Sequence, residues 1–204
     1  MRAKTIVALV AVAMMAAGAG RAGAADEKKL AQKMTPEQKA AMEAYMKAAT
    51  PGPSHKLLEP TVGSFEAAVT TWETPGAPGQ ASKGVAENAW VLGGRWVRET
   101  YRGEFDGMPF EGVGYTGYDN LKQKYVSSWI DTMSTMMMIT MGTVDATGKV
   151  FTCTGTIDDA VTGKAMAVRE VVRVVDHNKH IMEAYGPDRS GKEFKMMEIV
   201  YTRK

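Results

Sequence analysis

Five methionines fall close together in this chain: Met133, Met136, Met137, Met138 and Met141. Thioethers are soft ligands that select Cu(I), so one chemistry open to this run is copper binding. The other is lining a cavity, where flexible methionine side chains adapt to irregular shapes. Copper-binding Met sites usually add a nearby His or Cys, and this run has neither, so cavity lining is the favoured reading. On a strand, Met137 and Met141 share a face with Ile139, and Met136 and Met138 take the other.

The remaining reactive groups are scattered. His177 and His180, beside Asp176, could pinch a metal, but a His-x-x-His without further spaced ligands is a poor metal motif. A polar hairpin turn is the better reading, and no metal site is expected. Cys153, the only cysteine, lies in FTCTGT on a face with Phe151 and Ile157. Activation of its thiol would need a nearby base and an exposed thiolate, so it reads as a small buried apolar residue. Gly112-x-Gly114-x-x-Gly117 matches a dinucleotide fingerprint only formally, because no helix follows it and no βαβ unit surrounds it. Arg98, Arg102, Glu170, Glu183 and Glu198 interrupt strands. An inward one could pair or hold a ligand's polar head; Glu170, Glu183 or Asp131 could act as acid or base if buried beside a cavity. No catalytic residue and no cofactor is singled out.

The elements that position these residues are short and extended. The stretch from Arg95 to Met141 reads as four strands joined by tight turns, with Asp106-Gly107 a strong hairpin signal and Asp119-Asn120 the next turn. Val97, Glu99, Tyr101 and Phe105 oppose Trp96, Arg98, Thr100, Arg102 and Glu104, and neither face is purely apolar. Glycines at 112, 114 and 117 suit the bends and close backbone approaches of a closing barrel. Before it, Phe65, Ala67, Val69 and Thr71 share one face, and a second strand runs from about Ser82 to Trp90. After it, strands are expected over 135–144, 150–157, 164–175, 180–185 and 192–203. About ten short strands at regular spacing predict an all-β fold, an antiparallel up-and-down β-barrel, with an open sandwich as the alternative. One N-terminal helix precedes it. Thr35-Pro36-Glu37-Gln38 has the cap, the first-turn proline and the capping-box glutamine, and Met34, Ala41, Met42, Tyr45, Met46 and Ala49 form its apolar stripe. Packing on the barrel is favoured for that stripe over a lid on its mouth.

Residues 1–25 read as an export signal: Arg2 and Lys4, an apolar run to Ala19, and Ala22-Gly23-Ala24 as the cleavage pattern. The run is too short for a stable membrane span, and the mature protein is expected to be periplasmic or secreted. Removing Arg2, Lys4 and Arg21 from the 25 basic residues leaves 22 against 23 acidic ones. A near-neutral chain of that kind has no electrostatic footprint for nucleic acid. Residues 26–52 form a charged arm and the amphipathic helix, and 53–204 the barrel domain.

Pro53-x-His55-x-x-Leu58, Gly63-x-Phe65, Gly112-x-Gly114-x-x-Gly117-Tyr118-Asp119-Asn120 and Tyr125-x-x-x-Trp129-x-Asp131 together resemble the family catalogued as domain of unknown function 1579, from about Pro51 to Arg203. The resemblance implies a lipocalin-like, calycin-type barrel and no established reaction. Calycins usually carry Gly-x-Trp at the first strand, and here Phe65 stands where the Trp would. By analogy the barrel binds a small apolar or amphipathic ligand, with Tyr101, Tyr118, Trp129, Met137 and Met141 lining it and Arg98 orienting it. The alternatives are a filled structural barrel, whose oligomeric state the sequence leaves open, or an enzyme using inward carboxylates.

Overall fold

The computed structural model describes residues 34–160 and 162–204. The export signal expected over 1–25 and the charged arm to residue 33 lie outside the described residues. The chain divides into two units, Met1–Thr50 and Pro51–Lys204. In the first, helix α1 (Pro36–Ala49) starts as its sequence dictates. The Thr35 N–H donates to Gln38 Oε1 at 2.8 Å and the Gln38 N–H to Thr35 Oγ1 at 3.3 Å, satisfying two orphan donors of the first turn. Among the described residues no helix is long and apolar enough to cross a membrane.

In the second unit a short helix, α2 (Pro53–Lys56), and a 3-10 turn (Glu59–Thr61) lead into ten strands. These are β1 (Gly63–Thr71), β2 (Gln80–Val91), β3 (Trp96–Phe105), β4 (Met108–Asp119), β5 (Lys124–Asp131), β6 (Met138–Val144), β7 (Val150–Asp158), β8 (Ala165–Asp176), β9 (Lys179–Pro187) and β10 (Glu193–Arg203). Each pairs antiparallel with the next, and β10 closes on β1. The result is the expected up-and-down barrel, not a sandwich. The β3–β4 hairpin turns on Asp106 and Gly107, with φ of 52° and 76°, the left-handed pair a two-residue hairpin requires. His177 and Asn178 make the β8–β9 turn, whereas His180 belongs to β9 and is buried.

Register fixes which side chains face inward, because alternate residues point to opposite faces. Phe65 pairs with Ala86, which pairs with Tyr101, which pairs with Gly112, and all four are buried. From this row the inward set follows around the barrel, strand by strand.

The two ends differ. The segment from Pro53 to Val62 lies against one end and is tied down there. The Tyr125 hydroxyl donates to Ser54 O at 2.9 Å, and Asn88 Nδ2 donates to Thr61 O at 2.8 Å. The Arg203 guanidinium donates to the carbonyls of Val62 and Pro60, while its Nε donates to His177 O. Leu58, Val97, Tyr125, Phe151, Cys153 and Val174 form the core beneath this segment. Among the described residues of this unit no segment crosses the other end. Its rim is made by the β1–β2, β3–β4, β5–β6, β7–β8 and β9–β10 turns, and Phe105, Met108, Met133, Met136 and Met137 are exposed there.

Candidate functional site

Between the closed end and the rim, the inward faces of the strands enclose a lumen. Trp129 shows how room is left in it. Its indole lies against β4, where a Cβ on Gly112 would stand 2.1 Å from Cζ2 and one on Gly114 3.0 Å from Cε3. Only glycine lets so large a ring lie flat on the wall. The indole N–H donates to Asp131 Oδ2 at 2.9 Å, which fixes that orientation. Ser127, Met138, Glu170, Met182 and Ala184 also face inward by register, yet each is only partly buried. These side chains point into a closed barrel and still keep accessible surface. Ten strands give more interior width than the eight whose side chains just fill a barrel.

The floor of this lumen is polar. Glu99 on β3 faces inward between Val97 and Tyr101, and the Tyr201 hydroxyl of β10 donates to its Oε1 at 3.0 Å. Glu170 on β8 faces inward between Val168 and Val172 and accepts from Thr140 Oγ1 of β6 at 2.6 Å. Burial pushes the Glu99 carboxyl up to about 7; the Tyr201 hydrogen bond opposes the rise and the Glu170 charge adds to it. Glu99 keeps some accessible surface although protein surrounds it at longer range. Burial likewise raises Glu170, against the Thr140 hydrogen bond. Cys153, across from Glu170 on β7, is driven to about 12 by burial and then by the Glu170 charge. It is a buried free thiol, and burial disfavours the thiolate that a nucleophile needs.

His180 on β9 stacks on the Tyr201 ring at 4.4 Å and meets Phe65 edge-on at 4.7 Å. Burial, with the Arg203 charge, lowers it to about 4, so it is neutral at physiological pH. Asn88 on β2 lies directly across from Glu99 on the inward face. Among the described residues two buried side-chain polar atoms have no hydrogen-bond partner, Asn88 Oδ1 and His180 Nδ1. Among the described residues no group of three His, Cys, Asp or Glu side chains could hold a metal ion.

The expected lining residues divide between the faces. Tyr101 and Trp129 come together inside, ring centroids 6.5 Å apart, with Phe110 beside Tyr101. Tyr118 faces inward at the closed end, edge-on to Tyr125 and His55. Arg98 lies on the outer face and is exposed. Met141 is also outward, because its neighbours Thr140 and Gly142 oppose the inward Ser127 and Tyr125. Met137 precedes β6 and stands exposed on the rim. The strand expected from residue 135 begins at Met138, and Met138 is the methionine of the run that faces the lumen, opposite Trp129.

Of the other carboxylates weighed, Glu183 is on the outer wall, bridged to Lys195 at 3.2 Å. Asp131 is occupied by the Trp129 indole and the Met133 N–H. A separate shallow recess on the rim is lined by Trp72, Thr74, Pro75, Gly76, Phe194 and Lys195. It contains none of the polar floor.

Glu99, Asn88, His180 and Tyr201 were not anticipated as a group. A usable signal existed. Glu99 is flanked at two residues' distance by Val97 and Tyr101, and Glu170 by Val168 and Val172. A lone acid on an otherwise apolar alternate row marks an inward carboxyl more sharply than an exposed cation such as Arg98.

The crystal structure of Rv2717c from M. tuberculosis superposes with a TM-score of 0.57 at 17% sequence identity, covering 76% of this chain and 99% of that one. A likeness at that identity concerns the fold. A redesigned β-barrel aligns at 14% identity over 74% of this chain and 95% of its own, with a TM-score of 0.36, too low to carry an argument. No curated protein matches significantly. The sequence pattern of a known family matches residues 50–203, which is nearly all of the barrel unit. The chain belongs to the family described as Protein of unknown function (DUF1579).

Proposed function

We propose that the barrel is a binding module that takes one small apolar or amphipathic molecule through its open end. The observation that carries this reading is the inward-facing yet accessible surface of Ser127, Met138, Glu170, Met182 and Ala184. The lumen is apolar towards the rim, where Phe110, Trp129, Met182 and Met197 pack on the upper core, and polar at its floor. Binding pockets commonly combine such an apolar lining with a few placed polar groups. Export to a periplasmic or extracellular space belongs to the same reading and rests on residues 1–25 of the sequence.

The test is a fluorescence titration with Nile red, an uncharged apolar probe. Saturable one-to-one binding is expected, and Ala184→Phe, which fills the lumen, abolishes it without unfolding the barrel. Weak, unsaturable emission, or full binding by the filled variant, contradicts the proposal. A second reading, acid–base chemistry by Glu99 and Glu170, draws support from two carboxyls with raised pKa values in one enclosure. It predicts turnover lost in both Glu99→Gln and Glu170→Gln, whereas a binding module keeps its probe affinity in each.

A further inference from the structure

The polar floor of the lumen has an excess of hydrogen-bond acceptors. Glu99 and Glu170 each receive one side-chain donor, from Tyr201 and Thr140, although a carboxylate offers about four lone-pair sites. Asn88 and His180 are 7% and 4% exposed, face inward, and carry polar atoms without any partner. Asn88 stands across from Glu99, and His180 lies flat on the ring of the tyrosine that serves Glu99. The inward faces of four strands, β2, β3, β8 and β9, therefore carry polar atoms with unused hydrogen-bonding capacity.

Among the described residues no ion pair reaches these carboxyls. The ion pairs found among the described residues, such as Arg169–Glu193 and Lys195–Glu198, use neither Glu99 nor Glu170. Arg203 is the inward cation nearest the floor, and its guanidinium is committed to three backbone carbonyls and sits over the Phe65 ring at 4.6 Å. Phe65 and the His180–Tyr201 stack fill the space beside it, at the closed end. A buried carboxyl without a counter-charge is costly unless it is protonated or paired.

Resting on the reading that the lumen holds a ligand, we infer that the site selects molecules with a cationic, hydrogen-bond-donating head, such as the ammonium of an aliphatic primary amine, seated on Glu99 and Glu170. An ammonium brings three donors and a positive charge, which matches the acceptors on the floor. The apolar tail then lies along Trp129, Met138 and Met182 towards the rim. A carboxylate-headed amphiphile of the same length meets the two carboxyls and brings no donor of its own, so the same floor disfavours it.

The experiment is displacement of Nile red from the full chain by decylamine, decanol and decanoate. Decylamine should compete at least about tenfold better than decanol, the effect of a hydrogen bond to a charged group, and decanoate should be the weakest. The double variant Glu99→Gln with Glu170→Gln removes both charges and no volume. It should lose the amine preference while decanol displaces as before. Equal displacement by all three compounds, or an amine preference that survives in the double variant, overturns the inference and leaves the ligand-binding reading standing. Failure of all three to displace bound probe overturns the inference, and failure of the probe itself to bind overturns both.

Discussion

The closed and open ends of the barrel are built from the same ten strands and spend their side chains differently. At the closed end Tyr125, Phe151, Leu58 and Val97 interlock, and the 53–62 segment has its carbonyls taken by Tyr125, Asn88 and Arg203. At the open end the β5–β6 turn is held by local bonds, such as the Met133 N–H to Asp131 and the Met136 N–H to Ser134, and by the Thr132 N–H to Glu111 O. Large apolar side chains there face solvent. One end is packed as core, and among the described residues of the barrel unit the other is a rim of turns.

Truncation separates the ends most sharply. Tyr125→Ala should cost about 3–5 kcal/mol in chemical denaturation, the usual range for a large buried aromatic. Met137→Ala on the rim should fall within about 0.5 kcal/mol of wild type. Equal losses at the two positions would dissolve the distinction. Arg203→Ala comes next, at about 1.5–3 kcal/mol, because it leaves carbonyls of the 53–62 segment without their charged donor. Hydrogen exchange should localise that loss to residues 53–62.

The polar floor adds a pH signature. Glu99 is raised to about 7 from 4.5, so the folded state holds its proton more tightly than the unfolded one. The stability this gives is complete below pH 4.5 and is lost as pH rises through 7. His180, lowered from 6.5 to about 4, works the other way: its contribution is present above 6.5 and lost as pH falls through 4. Over the interval between 4.5 and 6.5 the two oppose each other, and wild-type stability alone hides both. The difference between Glu99→Gln and wild type isolates the carboxyl. The variant should gain about 1–3 kcal/mol relative to wild type between pH 4.5 and 8, measured by urea unfolding at each pH. A flat difference would mean that Glu99 titrates normally and that the floor is wet and open.

A small expected effect is also informative. Ala184→Phe should change stability by less than about 1 kcal/mol, whereas a filled barrel would lose about 1–3 kcal/mol to overpacking. Thermal unfolding of the purified variant decides between them.

The barrel itself was legible because its signals are local. Asp106-Gly107, Asp119-Asn120 and the alternation through Phe65, Ala67 and Val69 each report geometry within a few residues. The capping box of α1 was legible for the same reason. The faces of individual strands were less so. Alternation places Met137 and Met141 on one face, but β6 begins only at Met138, and the register against Tyr125 and Ser127 shows that Met141 faces outward. A shift of one residue reverses every such assignment. The polar floor was the least legible part, since it joins Asn88, Glu99, Thr140, Glu170, His180 and Tyr201 from six strands that no local pattern relates.

The most direct test of a hollow, ligand-accepting lumen is methyl NMR of the methionines during a titration with decylamine. Met138, Met182 and Met197 face the lumen by register and Met141 faces outward. The account predicts saturable shifts at Met138, Met182 and Met197 with Met141 unmoved. Shifts confined to Met141 or to the rim methionines, with Met182 silent at saturation, would contradict it.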